Sequence, residues 1–119
     1  MNFSSFENLS CKIAIYVPAT VNIDVAIDNS DMVEKTAIFL SDLFGGCTAC
    51  DVSGYWITQE KKLVKEKPVV VYAYTTEEKA REAEEKIIDF VQQMKREMMQ
   101  ECVSVEYNNR LYFIWFKSL

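Results

Sequence analysis

The sequence contains no histidine and only three glycines and two prolines among its 119 residues. Without histidine the chain lacks the commonest general base, the commonest metal ligand and the usual partner of a serine or cysteine nucleophile. With 50% apolar and 26% charged residues, it does not have the composition of a disordered or collagen-like chain. No apolar run approaches the ~20 residues that a membrane helix needs. The opening residues, Met1-Asn2-Phe3-Ser4-Ser5-Phe6, show neither the basic segment nor the apolar stretch of a secretory leader. The expectation is therefore a cytoplasmic protein with no membrane partner. Acids outnumber bases 18 to 13, for a net charge of −5. That sign opposes a sequence-independent grip on a phosphate backbone, so nucleic acid is not an expected partner.

The four cysteines are Cys11, Cys47, Cys50 and Cys102. In a reducing compartment a C-x-x-C spacing such as Cys47-Thr48-Ala49-Cys50 points to redox or metal chemistry. Zinc would need Cys11 and Cys102 to complete the ligand set, and thioredoxin-like chemistry wants the motif at a helix N-terminus. This motif follows a helix and opens a strand, so inert, partly buried thiols are expected, with no metal and no cofactor. P-loop, dinucleotide and metalloprotease motifs are also missing, because Gly45-Gly46 lacks their spacing and opens no helix.

The residues that are present alternate between strand and helix periods. Cys11 to Val17 is a β-branched and aromatic run closed by Pro18, a first strand. From Ala19 to Asn29 the period is two, as in an edge strand or an ordered loop folded over the sheet as a lid. Val33, Ala37, Leu40 and Phe44 form a helical stripe, which Ser30 or Asp31 caps at its start and Gly45-Gly46 ends. The strand pattern returns from Cys47 to Thr58 with a bulge expected at Gly54, and again from Leu63 to Tyr74 with an edge-like portion at Pro68. Thr75 and Glu78 read as a capping box. The second helix turns Ala80, Ala83, Ile87, Phe90, Val91, Met94 and Met98 to one face. At about 24 residues it would span roughly 36 Å. Val103 to Tyr107, the turn Asn108-Asn109 and Leu111 to Phe116 complete a hairpin.

The order β-α-β-β-α-β plus one extra C-terminal strand predicts a single α+β domain over residues 1–119. The expected architecture is a ferredoxin-like sandwich with an antiparallel sheet and two helices on one face. Tyr72 to Tyr74 and Leu111 to Phe116 are apolar on successive residues, so the open face is expected to be too apolar for water. A homodimer or higher homo-oligomer is the expected cover, with Tyr74, Tyr112, Ile114, Trp115 and Phe116 at the interface.

Gly54-Tyr55-Trp56, then Leu63-Val64-Lys65-Glu66, an apolar strand, a helix and Gln100-Glu101-Cys102-Val103 resemble a family of small α+β domains. That family reads G-x-W, [IV]-x-x-E and Q-E-[SA]-V, and occurs in phage, plasmid and conjugative-element proteins. The resemblance implies the fold and a mobile-element origin, with no activity attached. Tyr55, Trp56, Glu66, Tyr72, Gln100 and Glu101 are the candidate ligand-binding residues, aromatics to stack a planar ligand and carboxylates to shape a polar pocket.

These observations predict a non-catalytic homo-oligomeric binding protein, encoded by a phage or plasmid, that inhibits or sequesters a host component such as a defence-system factor. The alternative is a small nucleotide-like ligand in an aromatic pocket at the sheet or subunit interface. An enzyme is not expected; its chemistry would be acid/base work by Glu and Tyr.

Overall fold

The computed structural model describes residues 1–21 and 25–115. Five strands, β1 (Cys11–Val17), β4 (Thr48–Asp51), β7 (Val69–Thr75), β8 (Val103–Tyr107) and β9 (Arg110–Ile114), form one sheet in the order β4-β7-β1-β8-β9. Every neighbouring pair runs antiparallel. Four shorter strands pair off outside it: β2 (Thr20–Val21) with β3 (Val25–Ala26), and β5 (Gly54–Ile57) with β6 (Leu63–Glu66). The helices are α1 (Ser30–Phe44) and α2 (Glu77–Glu97). The α+β class, the antiparallel sheet and the two helices agree with the sequence pattern.

Both helices pack on one face of the sheet. Side chains alternate along a strand, and Cys11, Ile13, Ile15 and Val17 of β1, Val71 and Ala73 of β7, and Val103 and Val105 of β8 join the buried cluster. They meet Leu40 of α1 and Ala80, Ala83, Ile87, Val91, Met94 and Met98 of α2, the α2 positions that the helical period selects. Phe39 of α1 and Phe90 of α2 stack with ring centroids 4.1 Å apart and planes 8° from parallel, tying the helices together.

Helix boundaries follow local chemistry, with two corrections to the expected caps. The N-cap of α2 is Thr76, one residue beyond the expected Thr75, and its hydroxyl accepts the Lys79 N–H at 3.2 Å. The helix has 21 residues, about 32 Å at 1.5 Å per residue. Thr76→Ala is expected to cost about 1 kcal/mol, read from the midpoint of a urea denaturation curve. For α1 the cap residue is Asn29, not Ser30 or Asp31, and Asp28 accepts the Ser30 N–H at 2.9 Å from one position further back. Gly45 ends α1 at φ 92°, a left-handed turn that a side chain would strain. Asn108 and Asn109 both adopt positive φ, 52° and 63°, as a two-residue hairpin requires.

The larger departures concern the two long strand runs. Residues 47–58 divide into β4, in the main sheet, and β5, in the separate hairpin, so the expected bulge at Gly54 is instead the start of a new strand. Residues 63–74 divide likewise at Lys67-Pro68, where proline has no N–H to continue a ladder. The Pro68 carbonyl accepts the Val52 N–H at 3.2 Å, locking the two crossings side by side. Beyond Pro68, β7 lies inside the sheet between β4 and β1, not at an edge.

The open face is mixed. Lys12 pairs with Glu106 at 3.6 Å and lies 4.8 Å over the Tyr72 ring, which meets Tyr74 edge-on. Tyr74, Leu111 and Phe113 are the large apolar side chains exposed on that face. The expected run of greasy residues is thus broken at its centre by an ion pair. Of the segment 19–29, residues 22–24 lie outside the described residues. Its flanks are tied down by hydrogen bonds from Ile27 N–H to the Ala19 carbonyl at 3.0 Å and from Asn29 Nδ2 to the Pro18 carbonyl at 2.9 Å.

Candidate functional site

One end of the main sheet gathers several chain crossings. The register places Val17 and Asp51 beside Val69, so β1 and β4 finish where β7 begins. The β5–β6 hairpin leaves from this end as an arm. Its partners Gly54 and Glu66, Tyr55 and Lys65, and Trp56 and Val64 put Trp56 and Glu66 on one face and Tyr55 on the other. Trp56 Nε1–H donates to Glu66 Oε1 at 3.1 Å, and Lys65 lies 5.8 Å from the Tyr55 ring centroid. Both aromatics are open to solvent, Tyr55 at 58% and Trp56 at 46%.

The connection from α2 to β8 runs past the same end. Gln100 donates from its backbone N–H to the Lys95 carbonyl at 2.9 Å, and from Nε2 to the Thr20 and Met98 carbonyls at 2.8 and 3.0 Å. Both amide protons are therefore committed, and the side chain pins the β1–β2 connection to the end of α2. Burial raises the pKa of the half-buried Cys102 thiol, and the carboxylates of Glu101 and Glu66 raise it further while the Lys95 ammonium opposes them. Glu66 on the arm and Cys102 after α2 thus stand within electrostatic reach across the sheet end. A thiol shifted upward is a poorer source of thiolate, which argues against cysteine nucleophilic chemistry at this position.

The structure thus brings Trp56, Glu66, Gln100 and Glu101 to one region, with Tyr55 on the back of the same arm. Tyr72 lies apart, on the open face over Lys12. The expected interface residues do not share one surface. Tyr74 is on the open face, whereas Tyr112 faces the helix side against Tyr107 and Ile114 packs on the core. Trp115 follows β9 and accepts a hydrogen bond from Gln92 Nε2 through its carbonyl at 2.6 Å, and Phe116 lies outside the described residues. The physical reason is the pleat, which sends alternate residues of β9 to opposite faces.

Lys95 is the residue at this end that the sequence reading passed over. It lies 1% exposed in the last turn of α2. Val91, Met94, Lys95 and Met98 follow helical spacing, so its place on the buried stripe was available as a signal.

All four cysteines are free of disulfides, and Cys47 Sγ contacts the Ala37 carbonyl at 3.5 Å and the Ser41 hydroxyl at 3.4 Å. Among the described residues no group of three or more His, Cys, Asp or Glu side chains is placed to hold a metal, and no helix is long and apolar enough to cross a membrane. A second polar group sits at the far end of the sheet. There Tyr107 donates to Glu84 Oε2 at 3.2 Å, and burial, then the Glu84 charge, raises its hydroxyl pKa.

No family model matches the sequence, and no curated protein matches it. Solved structures do match. The fold is shared with a phage SAM lyase. Its structure in complex with S-methyl-5'-thioadenosine superposes with a TM-score of 0.62 at 16% identity, covering 93% of this chain and 95% of that one. The apo form gives the same score and identity over 96% and 98%. This corrects two expectations, that the chain is a non-catalytic protein sequestering a host component and that it is not an enzyme. Over nearly its whole length the chain shares the fold of that protein. Lack of histidine and of the common catalytic motifs therefore does not mark it as inert.

Proposed function

We propose that this chain is a phage or mobile-element enzyme that binds S-adenosylmethionine or a closely similar adenosyl sulfonium and cleaves its carbon–sulfur bond. The observation that carries the reading is the approach of Glu66, held by Trp56, to the Gln100–Cys102 connection, in a fold shared with a lyase whose structure contains S-methyl-5'-thioadenosine. The residues that carry the sequence resemblance, Gly54 to Trp56, Glu66 and Gln100 to Val103, supply this region. In the same reading, the strand order β4-β7-β1-β8 with both helices on one face is the ferredoxin-like arrangement, extended by β9.

The chemistry suits the residues. Adenine is a planar ring that Tyr55 or Trp56 can stack. A sulfonium is a compact cation that an aromatic face and a carboxylate both attract. Forming S-methyl-5'-thioadenosine breaks the bond from sulfur to the γ-carbon of the methionine portion, and both electrons remain on sulfur. The four-carbon fragment completes its valence by closing on its own carboxylate oxygen or by losing a neighbouring proton to a base. In this reading Glu66, which accepts the Trp56 Nε1–H bond, is the carboxylate that acts as that base or orients the reacting fragment. The Gln100 amide oxygen remains as an acceptor for a ligand hydroxyl or ammonium.

A ligand on the arm of a single chain would stay half in water, because Tyr55 and Trp56 are so exposed. A two-stranded hairpin is also marginal without further packing. A second copy of the chain seated against the arm meets both needs, so a homo-oligomer is part of this reading.

Incubating the purified protein with S-adenosylmethionine and following products by mass spectrometry tests the assignment. Time-dependent S-methyl-5'-thioadenosine above the uncatalysed background is the expected result. Intact substrate after prolonged incubation, at concentrations where light scattering shows the oligomer, would sink it.

A further inference from the structure

An edge strand presents a row of unpaired backbone N–H and C=O groups, and proteins blunt such edges with charge, proline or brevity. Two edges of this chain lack that protection. β9 closes the main sheet with β8 as its one neighbour among the described residues, and only its first residue, Arg110, is charged. Leu111 and Phe113 face away from the helices and Tyr112 toward them, all exposed. Trp115 prolongs the apolar run with its ring in solvent and its carbonyl fixed by the buried Gln92 at 2.6 Å. The second bare edge is β5, Gly54-Tyr55-Trp56-Ile57, which has no charge and pairs with β6 alone. The other edges are guarded: β6 has Lys65 within it and Lys62 and Lys67 at its ends, and β4 carries Thr48 and Asp51.

Within one chain the bare edges are kept apart. The arm leaves beside β4 and β7, and β9 stands four strand positions from β4, about 19 Å at the usual strand spacing.

We infer that β5 of one chain adds to the free edge of β9 on a second copy, so that identical chains join head to tail in a closed ring. This rests on the reading above in which a second copy covers the arm, and it names the surface that the copy presents. Backbone hydrogen bonds supply the adhesion, and the apolar side chains on both faces of the two strands supply the packing. The arm then continues a five-stranded sheet instead of standing as an isolated hairpin. Because the two surfaces differ, the contact is heterologous and closes by rotation, not by a two-fold axis.

Two variants and their mixture test the contact by size-exclusion chromatography with light scattering. The unmodified protein should run as one oligomer of fixed size. Ile57 is 63% and Phe113 56% exposed in the single chain, so circular dichroism should show Ile57→Lys and Phe113→Lys folded. Each alone should need at least about a hundredfold more protein to associate, because an ammonium is left in an apolar contact without a counter-charge. Mixed, they should form a 1:1 dimer, since the intact arm of the Phe113→Lys chain fits the intact β9 of the Ile57→Lys chain and no further contact can form. A monomeric unmodified protein, sizes that grow without limit, Ile57→Lys chains that assemble normally, or a mixture that stays monomeric each overturn the proposal. Should either variant unfold, hydrogen exchange on the unmodified protein decides: the outward amides of β5 and β9 exchange slowly if the strands pair, and fast exchange at both overturns it. A ring that leaves S-adenosylmethionine intact keeps this contact and sinks the lyase reading alone, and a monomer that cleaves it does the reverse.

Discussion

Glu66→Gln should lower formation of S-methyl-5'-thioadenosine by a factor of about 10²–10⁴, the range associated with losing a positioned acid/base group. Glu66 is exposed on β6, and the one hydrogen bond shown for its side chain comes from Trp56 Nε1–H at 3.1 Å. A glutamine oxygen can accept the same bond, so the melting temperature should stay within a few degrees. Separating rate from stability makes the variant informative. A full rate would remove Glu66 from the mechanism, and a large fall in melting temperature would show that the carboxylate holds the arm in place. Trp56→Phe, which keeps an aromatic face and removes the donor, should produce a smaller loss.

Ile15→Ala is the counterpart on the stability side, with an expected cost of about 3–4 kcal/mol. Ile15 is 0% exposed, lies on the central strand and pairs with Val71 on one side and Val105 on the other. Its side chain enters the cluster where both helices meet the sheet, so truncation leaves a cavity that neither layer can close alone. For a domain of this size the shift in melting temperature is roughly 10–15 °C. Calorimetry would settle it, and a shift of under about 3 °C would mean that the two layers can close over the gap.

Much of the framework was legible because it depends on local chemistry. The run from Cys11 to Val17, the helical stripe through Leu40, the stripe from Ala80 to Met98, the left-handed stop at Gly45 and the Asn108-Asn109 turn are each set by residues within a few positions of one another. The division of the long strand runs was harder to read. Pro68 signalled an interruption, but period-two alternation looks the same whether a strand continues in one sheet or crosses into another. The apolar excess of β7 and β9 pointed to a covered face, and the Lys12–Glu106 pair across the middle of that face required two strands to be placed side by side.

The candidate site shows the same division. Trp56 and Glu66 are joined by a hairpin register that turn geometry largely determines, and Gln100 follows the end of a helix that the sequence marks. Their approach to one another depends on the order of strands in the sheet.

By itself, the sequence determined the α+β class, the helix faces and most turns, because backbone preference and side-chain period act over short range. Tertiary structure alone decided that residues far apart in the chain share one sheet end, that a lysine is enclosed there, and that the architecture matches a lyase. Such contacts depend on which surfaces pack together, and periodicity encodes a buried face without naming its neighbour.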